Sequence, residues 1–486
     1  VCAYLLGLGM VLPAFGFFIL WRLAFLEGGF VGEALALFWF VPAGVVVFCL
    51  VLAGLRRAIL SRMRPGTYPV QSLIYLRKWL SDGLMSLSRG LLLPVYTTLY
   101  LPPWLRLMGA RIGPRAELST VHSFAPELID VGPESFFADG SIIGGRRVNR
   151  GVFEAAINRI GRRSFVGNSA VLPVGVSLGD GCLLGVQSIP PHGGSRVPDG
   201  SEWLGSPSFP LTHRPKVGNF DGTVTFHPTR MLYLQRAIVD GLRILIPGYL
   251  ALAALVAWSV LMYWTVHHAG IAVTVAVAPM AAILIGVCTV AVVAGLKKAV
   301  MGTFKPEIKP LWSMYVWLNE MVNGAYESVV APVLAPLLGT PFVVPLLRLM
   351  GCRIGSHTYI ATTLMSEFDL VEIGDYAALN HGAVIQNHLF EDRVFKSSHL
   401  TIGPEASVGN MSVILYDSRM QRGAVVGPLS LLMKGETLGE GTRWNGIPTV
   451  PASRPDHRSV ACNGDDVRPA PAEEAAVRTA IGGGTT

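Results

Sequence analysis

The stretch of sequence that decides the fold is IGRRSFVGNSAVLPVGVSLGDGCLLG, residues 160–185. An aliphatic residue recurs at every sixth position of this stretch, and glycine follows four of the five: Ile160, Val166, Leu172, Leu178 and Leu184. A period of six fits neither the 3.6-residue repeat of a helix nor the alternation of a simple strand. It is typical of short strands joined by tight turns, in which each aliphatic side chain points into a stacked prism. Three such strands complete one coil, so the pattern predicts a parallel β-helix.

The six-residue pattern occurs twice, because the sequence contains an internal duplication. LRLMGARIG at residues 105–113 returns as LRLMGCRIG at 347–355, 242 residues later. A second aliphatic series follows the second copy: Ile402, Val408, Ile414, Met420, Val426 and Leu432. Internal repeats of this kind indicate solenoid architectures. The sequence therefore predicts two tandem β-helix domains, at residues 105–215 and 347–454.

Long apolar stretches precede both domains. Only 15% of the residues are charged and 51% are hydrophobic, whereas roughly 25% charged residues are usual in soluble proteins. About 20 apolar residues are enough to cross a bilayer, and four stretches reach that length: 3–25, 34–54, 244–264 and 271–295. They form pairs joined by short turns, so we expect one transmembrane hairpin in residues 1–60 and, after a linker, another in 216–300. Buried core helices of a soluble protein are the alternative interpretation.

The basic residues beside these stretches predict their orientation. The turns at 27–33 and 265–270 contain no lysine or arginine. Basic pairs lie instead at the opposite ends, at 56–57 and 297–298. Because basic residues favour the cytoplasmic side, we expect a multi-pass protein of the cell membrane whose β-helix domains face the cytoplasm. The net charge of +7 fits a membrane or acidic partner, and no basic run interleaved with aromatic residues indicates nucleic acid.

The remaining segments carry less information. Residues 61–104 and 301–346 are apolar but broken by prolines, and we expect either interfacial helices that hold each domain against the bilayer or ordinary packed helices. The tail at 455–486 is rich in Pro, Ala and Gly and is predicted to be disordered. The six cysteines form no CxxC pair, so neither a disulfide framework nor a metal site is predicted. Because the sequence begins at Val1 inside an apolar run, we expect processing or a longer parent protein.

A break in the period predicts where a functional loop lies. The aliphatic positions that bound 143–160 and 385–402 are 17 residues apart, which is not a multiple of six. A segment must therefore leave the coil in each domain, and loops on a rigid scaffold are usual places for a site. In the second domain this segment includes QNHLFEDRVFKSSH, residues 386–399, and it follows an Asn-His pair at 380–381. The corresponding loop of the first domain contains no histidine.

These features resemble two groups of known proteins. The six-residue pattern resembles the left-handed β-helix acyltransferases. More narrowly, the sequence resembles the membrane region of ε-poly-lysine synthetase and related single-module nonribosomal peptide synthetases. This resemblance rests on the repeated unit of hairpin and domain and on three motifs: QNHLFEDRVFK at 386–396, WLGSP at 203–207 and WNGIP at 444–448. In that family the region contains three β-helix domains and follows adenylation and carrier domains. This sequence shows two such domains and neither adenylation nor carrier motifs.

The resemblance implies both a fold and a chemistry. The expected fold mixes membrane α-helices with two tandem left-handed β-helix domains, each preceded by a transmembrane helical hairpin. The expected activity is acyl transfer that forms an amide bond between a carrier-bound aminoacyl thioester and an amino acid or growing peptide. Adenylation domains, carrier domains and the lipid bilayer are then partners, and a phosphopantetheine- or CoA-linked acyl donor is a substrate, with no tightly bound cofactor. A homo-oligomer is also compatible, since hexapeptide acyltransferases commonly form trimers.

In the β-helix acyltransferases a loop histidine supplies the base, and this implies site residues in the second domain. We expect His388 to be the base, with His381 as its support or substitute. Asn387 and Asn380 are polar partners that could orient the imidazole or stabilise the oxyanion. Carboxylates that could bind a substrate ammonium or hold the histidine tautomer are Glu391, Asp392, Glu367 and Asp369. Trp444 either lines the donor groove or caps the end of the coil.

Two other functions stay open on the sequence alone. One is acyl-CoA-dependent O- or N-acyl transfer to an envelope substrate, and the other is that of a non-catalytic membrane scaffold. The first domain, without a loop histidine, could be structural, could dock the carrier, or could be a degenerate copy of the second. It could also form a wall of the second domain's site.

Overall fold

The computed structural model describes residues 29–60, 62–122, 125–144, 147–191, 196–211, 220–391 and 393–452. The predicted membrane stretch at 3–25 and the predicted tail at 455–486 lie outside these residues, and so does Asp392. Within them, the chain forms two stacks of short parallel strands, helices packed against the stacks, and two long apolar helices.

The first stack is built from strands of two to four residues. Successive strands enter three sheets in turn. In the central coils, parallel pairs join residues 18 positions apart, as Ile160 with Leu178 and Val166 with Leu184, which is three of the predicted six-residue periods. The strands are Arg111–Ile112, Glu117–Leu118, Ile129–Val131, Phe136–Phe137, Ile142–Ile143, Asn158–Ile160, Phe165–Val166, Val171–Leu172, Ser177–Leu178, Leu183–Leu184, Arg196–Val197, Glu202–Gly205 and Ser208–Pro210.

The second stack repeats this pattern. Val408 pairs with Val426 and Ile414 with Leu432, again 18 residues apart, and all four side chains are buried in the interior of the stack. The strands are Arg353–Ile354, Tyr359–Ile360, Val371–Ile373, Ala378–Leu379, Val384–Gln386, Leu400–Ile402, Ser407–Val408, Val413–Leu415, Arg419–Met420, Val425–Val426, Leu431–Leu432, Thr437–Leu438, Arg443–Asn445 and Val450–Pro451. The left-handed sense of both coils and the domain boundaries stay predictions.

In each stack one segment leaves the coil as an antiparallel hairpin. The hairpin strands are Arg147–Asn149 and Val152–Ala155 in the first stack, and His388–Glu391 and Val394–Ser397 in the second. Each hairpin gains a third strand from the chain before its stack: Gly66–Pro69 in the first case and Glu307–Pro310 in the second. The breaks in the six-residue period fall at these two hairpins.

Two helices in the described part of the chain are long and apolar enough to cross a membrane, by length and composition. They are Gly29–Ile59 and Arg230–Val300, and the second is interrupted at Gly270, where φ is 81° and ψ is 172°. The hydroxyl oxygens of Thr265 and Thr274 lie 3.3 Å apart, although nine residues of continuous helix rise about 13.5 Å. The chain therefore turns back at Gly270. That these helices cross a bilayer, and in which direction, stays a prediction.

Shorter helices pack against the stacks. The helix Met314–Ala325, called here the site helix, buries Trp317 and Val322 and continues into a π-helical turn at Tyr326–Val330. Of the two alternatives for residues 301–346, the site helix is therefore observed as a helix packed against protein. The other helices are Leu73–Leu91, Leu101–Leu107, Ala331–Leu334 and Val343–Met350, with 3₁₀ turns at Leu93–Val95, Pro126–Leu128, Gly222–Val224, Ala335–Leu337 and Phe368–Leu370.

Equivalent ion pairs join each apolar helix to its stack. Arg56, near the end of the first helix, binds Glu127. Lys297, near the end of the second, binds Asp369. The two basic residues are 241 positions apart and the two acidic residues 242, so the duplication includes the junction between helix and coil.

The first stack contacts the hairpin of the second. The ring centroid of Phe136 lies 5.4 Å from that of Phe390 in the hairpin. Arg393, at the hairpin turn, is buried and donates hydrogen bonds to the backbone carbonyls of Arg115 and Thr225, at 2.5 and 3.4 Å. These contacts are those expected if the first domain forms a wall of the second domain's site.

Candidate active site

The imidazole of His388, at the start of the second hairpin, is the centre of the candidate site. Its Nδ1 lies 2.8 Å from Oε2 of Glu367 and 3.3 Å from the hydroxyl of Ser366. The Ser366 hydroxyl donates to the same carboxylate oxygen at 2.6 Å, and Glu367 is fully buried. Glu367 has a left-handed backbone conformation, with φ of 39°, which is strained for a residue other than glycine. Strain of this kind clusters at functional sites.

The other oxygen of Glu367 is held by the site helix. The side-chain amides of Asn319 and Asn323 donate to Oε1 at 2.8 and 3.1 Å. Residues four positions apart lie on the same face of a helix, so one helical face presents both amides. Together with Ser366 and His388, they give the carboxylate four hydrogen-bond partners.

Two aromatic rings of the hairpin fix the plane of the imidazole. Phe395 stacks on it with a centroid distance of 4.9 Å and an interplanar angle of 27°, and Phe390 meets it at 5.8 Å and 82°. The His388 side chain is 13% exposed. Within the described ranges, both hydrogen bonds of the imidazole involve Nδ1. Nε2 is therefore the nitrogen left to face a substrate.

The electrostatics of the pair favour charge on both groups. Burial alone would lower the pKa of His388, but the Glu367 carboxylate, with a smaller contribution from Asp139, raises it above its ordinary value. Burial alone would raise the pKa of Glu367, but His388 and the hydrogen bond from Ser366 lower it. When the imidazole is neutral, a carboxylate on Nδ1–H leaves the lone pair on Nε2. That is the arrangement of a general base.

Sequence patterns do not indicate every member of the site. Ser366, Asn319 and Asn323 are absent from the sequence-based candidates, and the only signal for the asparagines is their spacing of four on an apolar segment. Glu327, in the π-helical turn, and Asp139, in the first stack, also interact electrostatically with His388. Neither carries a motif.

The residues next to His388 in sequence make other contacts. His381 is exposed, and no hydrogen bond joins its imidazole to any residue that the structure describes. Asn380 donates to a backbone carbonyl of the coil at 2.8 Å. Asn387 is fully buried and donates to the backbone carbonyls of Leu370 and Ser398, at 3.2 and 3.4 Å. Their catalytic and substrate-binding roles stay predictions.

Glu391 lies at the far end of the hairpin strand, where it binds Lys396 and Lys434. Burial alone would raise the pKa of Glu391, but the two ammonium groups lower it. Both lysines also line a cleft of 580 Å³ with Tyr416. The Glu391 carboxylate is thus already paired with cations, while Asp392 lies outside the described residues.

Asp369 and Trp444 are engaged elsewhere. The Asp369 carboxylate binds Lys297 and accepts from the backbone N–H of Phe304 at 2.9 Å. Trp444 lies in a late coil of the second stack, and its indole donates to the hydroxyl of Thr442 at 2.8 Å. Of the sequence-based candidates, the structure therefore brings together His388 and Glu367. Roles of Asp369 and Trp444 in binding stay predictions.

The first stack does not repeat this pair. Ala125 stands 242 positions before Glu367, and Arg146, which stands 242 positions before His388, lies outside the described residues. Among the residues described, no group of three or more His, Cys, Asp or Glu side chains is arranged to hold a metal ion.

Comparison with known proteins supports the sequence-based resemblance. No protein-family profile matches the chain. The delta-poly-L-ornithine synthetase of Acinetobacter baumannii (strain AB307-0294) is 36% identical over 424 residues, which cover 86% of this chain and 32% of that protein. The chain thus spans about a third of the length of this relative. The resemblance to poly-amino-acid synthetases is confirmed.

Solved structures give a much weaker likeness. Two structures of soybean serine acetyltransferase, one with serine and one without ligand, align at 18% identity with TM-scores of 0.17 and 0.16. Each alignment covers 34% of this chain, and 70% and 69% of the soybean chains. At these scores the likeness carries no argument about the present chain.

Proposed function

We propose that this chain forms the amide bonds of an amino-acid polymer, with His388 as the general base and Glu367 as the carboxylate that orients it. The observation that carries the proposal is the pair itself, a buried carboxylate 2.8 Å from Nδ1, which leaves Nε2 for the substrate. Similarity over 86% of the chain to a protein named for poly-ornithine synthesis favours an amine as acceptor and an aminoacyl group as donor. The donor is expected as a thioester on the phosphopantetheine arm of a carrier.

The proposed reaction needs proton transfer and charge stabilisation. The acceptor amine attacks the thioester carbonyl, and the C–N bond forms. The amine gives a proton to Nε2 of His388, which becomes an imidazolium ion. The Glu367 carboxylate stabilises this imidazolium. The tetrahedral intermediate then collapses, the C–S bond breaks, and the proton passes from Nε2 to the leaving sulfur. The products are an amide and a free thiol, and His388 is neutral again.

The proposal extends to the architecture of the chain. The 18-residue register supports two tandem left-handed β-helix domains, and the two apolar helices support membrane attachment through hairpins. Arg56 and Lys297 lie where these helices meet the stacks, which favours a cytoplasmic position for both stacks under the positive-inside bias. Adenylation and carrier domains would then deliver the activated amino acid from the same side.

The test measures peptide formation by full-length protein in membranes, with its carrier loaded with radiolabelled amino acid. A general base typically contributes about 10²- to 10⁴-fold, so His388→Ala should lose peptide formation by that factor while the carrier stays loaded. His399, an exposed histidine of the same segment, provides the matched control, and His399→Ala should react like the wild type.

Two outcomes would contradict the proposal. Peptide formation by His388→Ala at the wild-type rate would show that the proton is accepted elsewhere. Acyl transfer from an acyl-CoA by the wild type, without peptide formation from the loaded carrier, would favour the acyl-CoA-dependent alternative.

A further inference from the structure

The second long apolar helix begins with a buried charged face. Arg236, Asp240 and Arg243 lie at positions i, i+4 and i+7, so they share one side of this helix, and none is more than 6% exposed. Arg236 binds both carboxylate oxygens of Glu117 at 2.9 Å, and Asp240 accepts the backbone N–H of Leu99 at 2.8 Å. These two contacts fix the helix to the first half of the duplicated chain. The third charged residue of the face, Arg243, reaches the site helix.

Arg243 meets the site helix at two positions. Its Nη1 donates to the Glu320 carboxylate at 3.2 Å and to the backbone carbonyl of Thr97 at 3.1 Å. Its guanidinium lies against Gly324, where a Cβ would be 2.8 Å from Nε. Glycine is unfavourable inside a helix, and here it leaves room for the arginine to reach Glu320. The ion pair is buried from both sides, since 7% and 11% of the two side chains are exposed.

The neighbouring face of the site helix carries the two amides of the candidate site. Asn319 and Asn323 each stand one position before a residue that meets Arg243, so the two faces are about 100° apart around the helix. A shift of the helix at the arginine therefore also moves the amides that donate to Oε1 of Glu367, at 2.8 and 3.1 Å. Three contacts thus connect Arg243 with the imidazole: arginine to site helix, amides to carboxylate, and carboxylate to Nδ1 of His388.

The first half of the duplication has a different arrangement at these positions. Lys78 and Asp82 stand 242 positions before Glu320 and Gly324, and they form an ion pair within their own helix. This lysine is therefore paired without an arginine from another helix. The stack of the first half has an alanine where Glu367 stands in the second. The arginine contact accordingly occurs in the half that carries the histidine–carboxylate pair, which favours a role at the site.

We propose that Arg243 is a positioning residue for the general base. It fixes the site helix, and through the two amides it holds the Glu367 carboxylate in the orientation that binds Nδ1. The inference rests on the proposed amide-forming function and adds a residue of the second apolar helix to it. Misplacing a catalytic group slows the chemical step, whereas three contacts separate Arg243 from the imidazole. Loss of the arginine contact should therefore lower kcat and leave KM for the acceptor amino acid nearly unchanged.

The first experiment replaces the whole ion pair, because removal of one partner would leave a buried unpaired charge. Arg243→Met combined with Glu320→Met puts an unbranched apolar side chain at both positions. Full-length protein in membranes is assayed with its loaded carrier, and carrier loading is measured in the same sample. The double-methionine variant should lose kcat about tenfold, with KM for the acceptor within about twofold of the wild type. Arg243→Lys keeps the charge and should retain more of kcat than Arg243→Met.

A double-mutant cycle distinguishes positioning from a general effect on stability. Asn319→Ala combined with Asn323→Ala removes both amides and should itself lower kcat. If Arg243 acts through these amides, the double-methionine change should lower kcat of the amide-free protein by less than about twofold, because residues that act through a shared contact are not additive. The same cycle with Arg243→Lys, which keeps Glu320 paired with a cation, gives the answer if the double-methionine protein does not fold.

Two control variants accompany the cycle. Glu127→Gln breaks the buried ion pair with Arg56 in the first half, and any effect on kcat should be the same with and without the amides. Glu405→Gln removes an exposed carboxylate that pairs with Arg422 at 2.7 Å, and it should leave kcat and KM unchanged.

The results that would overturn the inference differ from those that bear on the proposed function. Wild-type kcat in the double-methionine variant would overturn the inference, and so would a loss of kcat as large in the amide-free protein as in the wild type. A rise in KM as large as the fall in kcat would also overturn it, because the arginine would then act on substrate binding. Wild-type peptide formation by His388→Ala would overturn the proposed function instead.

Discussion

At the level of single residues, the contact between Glu367 and His388 determines how the candidate base responds to pH. The carboxylate raises the pKa of His388 against the effect of burial. Only the neutral imidazole accepts a proton, so peptide formation should increase as the pH rises through that raised pKa. In Glu367→Gln no carboxylate at this position opposes the effect of burial on the imidazole, so the pKa of His388 falls. The acidic limb of the pH–rate profile should therefore move to lower pH. The maximal kcat should fall about tenfold or more, because the imidazolium loses its counter-charge.

The measurement is kcat for peptide formation as a function of pH in the wild type and Glu367→Gln, with Glu405→Gln as the exposed carboxylate control. Burial, with a smaller effect of Asp139, raises the pKa of Glu327 to about 7, and Glu327 interacts electrostatically with His388. The comparison is therefore repeated with Glu327→Gln present in both proteins. An acidic limb that stays in place, or moves to higher pH, would contradict the assigned role of Glu367.

The amino-acid sequence alone identifies only part of this site. His388 stands in a loop that interrupts a regular period, and Glu367 is one of several carboxylates near it in sequence. Asn319 and Glu327 come from a connecting segment, and the period of that segment shows which residues share a helical face but not what the face contacts. Asp139 belongs to the other half of the duplication. Its approach to the imidazole depends on tertiary packing, which local patterns do not contain.

At the level of elements, the close stacking of coils predicts which glycines can be replaced. A Cβ on Gly409 would lie 2.5 Å from backbone atoms of Gly427 and Pro428, and a rigid coil does not move aside without strain. Gly409→Ala should therefore lower the free energy of unfolding by about 1–3 kcal/mol. A Cβ on Gly439 would meet only the Thr442 side chain, at 3.5 Å. Gly439→Ala should change stability by less than about 0.5 kcal/mol.

The glycine prediction is checked by thermal unfolding of the purified protein in detergent, followed by circular dichroism in the β-sheet region. Gly409→Ala should unfold at a lower temperature than Gly439→Ala. Equal unfolding temperatures for the two variants would mean that the coils tolerate the extra methyl group, and that the recurrent glycines serve turn geometry rather than close stacking.

The strands of the stacks follow from the sequence because a six-residue period is a local property. The extruded segments follow as well, since a phase break is visible without any structure. The three-stranded form of these segments does not follow from the sequence, because the third strand of the second hairpin, Glu307–Pro310, pairs with residues 84 to 90 positions later. The packing of the site helix, Met314–Ala325, is also undetermined by sequence, because an apolar helical face has the same pattern whether it contacts lipid or protein.

At the level of the whole molecule, the duplication produces two unequal halves. Each stack is attached to the end of an apolar helix by an equivalent ion pair, Arg56 with Glu127 and Lys297 with Asp369. Among the described residues, the histidine–carboxylate pair occurs in the second stack. The first stack contributes contacts to the hairpin that carries this pair. We therefore expect the halves to depend on each other for function although their strands are separate.

This dependence predicts that a residue of the first stack is needed for activity at His388. Phe136 is 7% exposed, and its ring centroid lies 5.3 Å from that of Phe165 and 5.4 Å from that of Phe390. Phe136→Ala leaves a void against the hairpin that holds the imidazole, and removal of a buried ring costs roughly 3–5 kcal/mol of packing. If a fraction of this packing energy no longer holds the His388 imidazole in position, peptide formation should fall about tenfold.

The assay for the Phe136 variant is peptide formation from a loaded carrier, with carrier loading measured in the same sample. Phe136→Leu keeps most of the apolar volume, so it should retain more activity than Phe136→Ala. Phe209→Ala, at a position of the first stack that is 41% exposed, should behave like the wild type. Full activity in Phe136→Ala would mean that the second stack positions its hairpin alone. The first stack would then serve a separate purpose, such as docking the carrier, and a change on its exposed surface rather than at Phe136 should reduce transfer.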